Sequence, residues 1–166
     1  CQKARIAGMR TKTETLERLF RDQFTRMREV LDKTSEAHLY DRPRELPHSF
    51  VMFSSGEYLL RSAAAIEQVF LGITRKLWDD PFEWTLPEAL NSKSQISNYF
   101  DETQKVMEEG FTFLQSDDDL DKTIPSPEKI RSIMEILVDA LSRSEHHLGR
   151  AVAVSLYFSD EKPLRR

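Results

Sequence analysis

Four stretches of the chain place apolar residues at three- and four-residue spacing, the period of a helix that turns one face to a core. From about Thr11 to Thr34 the stripe is Leu16, Phe20, Phe24, Met27 and Leu31, and from about Ser54 to Trp78 it is Leu59, Ala63, Ile66, Phe70, Ile73 and Leu77. A third, about Ser92 to Gln115, carries Ile96, Tyr99, Phe100, Thr103, Val106, Met107, Phe111 and Leu114. The fourth, about Ser126 to Phe158, carries Ile130, Ile133, Met134, Leu137, Leu141, Leu148 and Ala151. Start signals accompany each stripe. Thr11 with Glu14, Ser54 with Glu57 and Ser92 with Gln95 have capping-box spacing, at which side chains satisfy the orphan amides of a first turn. Ser126-Pro127-Glu128 sets a cap residue before a proline, whose missing amide costs nothing at the first helical position. The pattern predicts an all-α protein, a four-helix bundle.

The links between the helices carry the topology. Residues 35–53 contain Pro43 and Pro47, residues 79–91 contain Pro81 and Pro87, and both exceed a short hairpin connection. A link of about 13 residues spans on the order of 40 Å, enough to cross the bundle's length. Helices two and three can then run parallel, giving an up-down-down-up bundle. The start of helix two, the end of helix four and the loop with His38 and His48 would share one end. No internal repeat or low-complexity tract divides the chain, so residues 1–166 read as one domain with residues 1–10 as an N-terminal extension.

Composition narrows the function classes. At 166 residues the chain can bury one ordinary core without staples. With 31% charged residues it is too polar for a membrane protein, and no apolar run approaches the ~20 residues of a span. A net charge of -4 argues against a nucleic-acid partner, whose phosphates call for a dominant basic face. The single cysteine, Cys1, excludes an intrachain disulfide or a Cys-based zinc cluster. A lipid anchor there is one reading of a leading cysteine, and a trimmed chain or an upstream extension is the plainer one, with Met9 a conceivable start. No secretory stretch can be read, and a cytoplasmic protein is expected. Asp117, Asp118, Asp119 and Asp121 lack the glycine and terminal glutamate of a calcium loop and read as a solvated helix end. Trp78, Phe82 and Trp84 read as rings packing the second link onto the bundle.

The stretch Ser142-Arg143-Ser144-Glu145-His146-His147-Leu148-Gly149-Arg150 carries most of the candidate chemistry. Here the chain resembles the DinB-like family, whose fourth helix carries His-x-x-x-His followed two residues later by glycine. Matched on Gly149, His147 is the second histidine and Arg143 stands in place of the first. The segment Ser55-Gly56-Glu57-Tyr58-Leu59-Leu60-Arg61-Ser62-Ala63 resembles the start of the family's second helix, and Arg61 stands where a third histidine is expected. In helix order, link lengths and overall length the resemblance runs from Thr11 to about Pro163. It implies a divalent metal on three histidines, thiol-dependent transferase or hydrolase activity in several members, and dimers formed through a helical face.

Two of the three implied ligands are arginine here. A guanidinium stays protonated and has no lone pair for a metal, and a catalytic site ordinarily needs about three protein ligands. The resemblance therefore points to a protein with a degenerate metal site, a small-ligand binder or interaction module and expected homodimer. The alternative is a metalloenzyme using a low-molecular-weight thiol, with zinc, nickel or manganese held by His147 with His146, His48 or Glu57. Glu57 and Arg61 share one helical face, as do Arg143 and His147. Two arginines turned into the bundle mouth would demand carboxylates, with Glu57 the nearest and Glu67 and Glu145 behind it. Three readings stay open: a structural ion-pair network, an anionic ligand clamped by Arg61 and Arg143 beside His147, or arginines that face solvent. Glu57 also reads as a capping residue, and His146 as outward-facing.

Overall fold

In the computed structural model, which describes residues 10–44, 52–81 and 88–159, four helices account for most of the chain. They are α1 (Thr11–Lys33), α2 (Ser55–Arg75), α3 (Lys93–Phe113) and α4 (Ile133–Tyr157). Short 3-10 turns follow α1 (Glu36–His38) and α3 (Asp117–Asp121), and a hairpin of β1 (Thr123–Pro125) and β2 (Ile130–Ser132) precedes α4. The four stripes meet in one core. Phe20, Phe70 and Phe111 form its aromatic centre, with centroids 5.3 Å apart for Phe20 and Phe70 and 5.1 Å for Phe70 and Phe111. Gly110 is required there, because a Cβ at that position would lie 2.3 Å from the Phe70 ring.

Hydrogen bonds fix how the helices face one another. Ser55 Oγ donates to the Ala151 carbonyl at 3.1 Å and Ser62 Oγ to the Ser144 carbonyl at 2.9 Å, so the start of α2 meets the end of α4. Tyr99 of α3 donates to Glu67 of α2 at 2.6 Å. Arg21 and Arg28 of α1 reach Glu108 at 2.6 Å and Asp101 at 2.8 Å, in descending order along α3. No helix among the described residues is long and apolar enough to cross a membrane.

The starts of α2 and α3 follow the expected signals. Ser54 and Glu57 make a reciprocal capping box, and Ser92 Oγ accepts from the Gln95 amide. The other two starts differ. Thr11 is inside α1 rather than its cap, and the orphan amides of Lys12 and Thr13 donate to the Asp117 carboxylate at 3.1 and 2.9 Å. The acidic run is therefore not merely a solvated helix end, since buried Asp117 caps a helix 104 residues away in sequence. Burial presses its carboxyl upward, yet the Thr13 and Lys12 donors outweigh this and hold it below the usual range.

Helix four begins at Ile133, not Ser126. Ser126 N and Oγ both donate to the Lys129 carbonyl, at 3.1 and 2.5 Å, and Pro127 fits the second position of that turn. The residues around it pair as a hairpin in the register Thr123↔Ser132, Ile124↔Arg131 and Pro125↔Ile130, and Ser132 caps α4 by accepting from the Glu135 amide at 3.1 Å. Ile130, expected in the core, is consequently 70% exposed. Leu77 leaves its stripe as well, at 48% exposed, because α2 stops at Arg75 and Lys76 turns left-handed with φ 59°. Trp78 folds back against Gly72, in keeping with a packing role, while Phe82 and Trp84 lie outside the described residues.

Candidate functional site

The start of α2 is held by the first link. Gly56 lets the Leu39 carbonyl and the Tyr40 ring approach to where a Cβ would meet them at 2.9 and 2.7 Å, and its amide donates to that carbonyl at 2.8 Å. This docking delivers Arg42 to Glu57. The guanidinium grips the buried carboxylate with both ends, Nε to Oε2 at 3.0 Å and Nη2 to Oε1, while Ser54 donates to Oε2 from its amide and hydroxyl, each at 2.8 Å. Burial pushes the Glu57 carboxyl up, but these donors prevail and hold it below the ordinary value. The carboxylate expected to meet Arg61 is thus taken by Arg42, a partner 15 residues away along a proline-containing link.

The other expected carboxylate partners are elsewhere too. Glu67 accepts from Tyr99, Glu145 pairs with Arg26 of α1, and Arg143 pairs with Asp139 one turn earlier on its own helix at 3.2 Å. Arg143 is exposed and also reaches Gln68 of α2 at 3.5 Å. Arg61 is half-buried with its guanidinium 4.3 Å above the centre of the Phe53 ring, a cation–π contact. An ion-pair network of Arg61 and Arg143 with Glu57, Glu67 and Glu145 is not what these contacts build.

The structure gathers a different set around His147. Its imidazole is half-buried and stacks toward Tyr58 at 6.3 Å, with the exposed His146 ring edge-on at 5.6 Å. Arg150 places its guanidinium 5.8 Å over the Tyr58 ring and donates to the Tyr58 hydroxyl at 3.3 Å. His147 Nδ1 is buried with no hydrogen-bond partner among the described residues. Burial, then the positive field of His146, Arg61, Arg143 and Arg150, pushes this imidazole down to about 4, so it is neutral at physiological pH. Arg150 and Tyr58 were not singled out from sequence. Each had a signal, since Arg150 is three residues after His147 and Tyr58 three before Arg61, the spacing of one helical face.

Beside this group lies a buried polar cluster without a sequence signature. Gln23 Nε2 donates to Ser144 Oγ at 2.9 Å, and the hydroxyls of Ser62 and Ser144 are 2.8 Å apart, all three residues fully buried. It joins α1, α2 and α4 at the level of Arg61.

A divalent cation does not fit the donors among the described residues. Among the described residues no three His, Cys, Asp or Glu side chains converge on a common point. His147 brings one lone pair, Glu57 is engaged by Arg42, and Arg61 and Arg143 are cationic. His48 lies outside the described residues. These features define a helical protein in which the positive charges of Arg61, Arg143 and Arg150 act on a half-buried His147 beside Tyr58, where α2 meets α4. Comparison with protein-family models, curated proteins and solved structures gave no significant match.

Proposed function

We propose that this chain is a DinB-like protein, an up-down-down-up four-helix bundle whose metal position has been given over to arginine, and that it works as a small-ligand binder rather than by metal chemistry. The ligand is a small anion, of carboxylate type, received between α2 and α4 by Arg61, Arg143 and Arg150 beside His147. One observation carries this reading: a half-buried imidazole whose Nδ1 has no hydrogen-bond partner among the described residues lies in the field of three guanidinium groups. A positive field around a half-buried imidazole attracts an anion, and planar guanidinium donors match a carboxylate's geometry. Glu57 supports this arrangement by holding the first link to the start of α2 through Arg42. The bundle topology is supported by α2 meeting α4 head to tail and by α1 descending along α3. A homodimer through a helical face is part of the same proposal, as are the absence of a nucleic-acid partner and a cytoplasmic setting.

The test follows the His147 ring by NMR while acetate, succinate and inorganic phosphate are titrated into tag-free protein purified without chelator. A bound anion raises the imidazole's pKa by offsetting the guanidinium field. Unchanged His147 titration at saturating anion would sink the ligand assignment. Near-stoichiometric zinc, nickel or manganese in the same preparation would restore the thiol-dependent metalloenzyme in its place.

A further inference from the structure

A cavity lies away from His147, between the outer faces of α2 and α3 and the described ends of the link that joins them, residues 77–81 and 89–90. Its volume is about 570 Å³, within the range of a small-molecule site. Leu71, Leu77, Pro81, Ala89 and Leu90 supply apolar wall, and Glu67, Asp79 and Glu102 supply carboxylates. No basic side chain lines it among the described residues. Glu67 stands half-buried at the wall and accepts a hydrogen bond from Tyr99 OH at 2.6 Å. Burial pushes its carboxyl above the ordinary value and Glu102 adds to that, with Tyr99 offsetting only part. Among the described residues no cation pairs with this carboxylate, the counter-charge that a buried acid calls for.

We propose that this cavity binds a small organic cation with an apolar body, its ammonium group donating to Glu67 and Glu102 while the body packs on Leu71, Leu77, Pro81 and Leu90. The chemistry is complementary on both counts. Apolar walls gain by covering the ligand's frame, and the uncompensated carboxylates gain a charge-assisted donor. An anion would meet repulsion here, and a neutral ligand would leave Glu67 as it is. The site is independent of the proposed anion site beside His147, which lies toward the start of α2.

The test uses the full chain and three probes of one shape: phenethylammonium, 2-phenylethanol and 3-phenylpropionate, with binding followed by calorimetry and by amide shifts at Leu71, Leu90 and Tyr99. Phenethylammonium is expected to saturate, 2-phenylethanol to bind about tenfold more weakly and 3-phenylpropionate more weakly still. Glu67→Gln should cost about tenfold in phenethylammonium affinity while melting no lower than the parent chain, because it removes a strained charge. Glu102→Gln, at an exposed position, provides the same loss in a few-fold measure without risk to the fold. Equal affinity for the three probes would overturn the proposal. So would no saturable phenethylammonium binding up to roughly 10 mM, or full affinity in both variants.

Discussion

An imidazole packed beside Tyr58 and His146, with three guanidinium groups in its field, holds a proton poorly. His147 falls from 6.5 to about 4 for that reason, burial first and the neighbouring cations second. The unfolded chain then binds more protons than the folded one between these two values, so acid favours unfolding there. The stability tied to His147 is complete above about 6.5 and is lost as pH falls toward 4. Partial exposure screens the effect, which leaves a loss on the order of 1–2 kcal/mol. Glu57 and Asp117, whose carboxyls are depressed, act in the opposite part of the range: their contribution persists above the ordinary carboxyl value and fades only in stronger acid. Glu67, whose carboxyl burial raises, acts in the opposite sense above the ordinary carboxyl value, so denaturant unfolding at pH 7 and pH 5 isolates the histidine when it is done in a Glu67→Gln background. His147→Gln should flatten the difference between the two pH values, and a variant that keeps the parent slope would show the neutral imidazole to be misassigned.

Gly149 and Gly110 sit inside helices for opposite reasons. A Cβ at Gly110 would drive into Phe70, whereas at Gly149, exposed on α4, it would meet nothing within 4 Å. Gly149→Ala should accordingly stabilise the protein by roughly 0.5–1 kcal/mol through restored helix propensity, read as a melting point higher by about 2–4 °C. A lower melting point would mean that another chain approaches this part of α4. The elements themselves divide in the same local-versus-distant way. Both α2 and α3 were legible because each begins on a cap three residues from its partner, Ser54 with Glu57 and Ser92 with Gln95. By contrast, α1 takes its cap from Asp117, a contact no local window contains. Two serines near α4 carry a following Glu, and the choice of Ser132 over Ser126 depends on strand pairing across residues 123–132. In the site, the shared faces of Arg61, Arg143 and His147 could be read from spacing. Arg42 on Glu57 could not, because it depends on Gly56 letting the first link close on α2.

At the scale of the whole molecule the register between α2 and α4 determines which side chains can act together. Ser55 meets Ala151 and Ser62 meets Ser144, so Arg61 lies level with the turn that carries His147. The Gln23–Ser62–Ser144 cluster pins that register from α1, since slipping either helix would strand buried polar groups that cost about 1–3 kcal/mol each when unpartnered. If the proposed DinB-like match is right and that family's imidazoles occupy these places, the pinned register should accept histidines there. Arg61→His with Arg143→His would set two histidines one turn apart on α4 and a third facing them from α2, a donor set suited to tetrahedral zinc with one open position. Zinc competition titrations should then give an affinity at least about tenfold above that of the parent chain and of Arg61→His alone. A double variant that folds, keeps its melting point and gains no zinc affinity would remove the geometric basis for matching Arg61 and Arg143 to the DinB-like ligand positions.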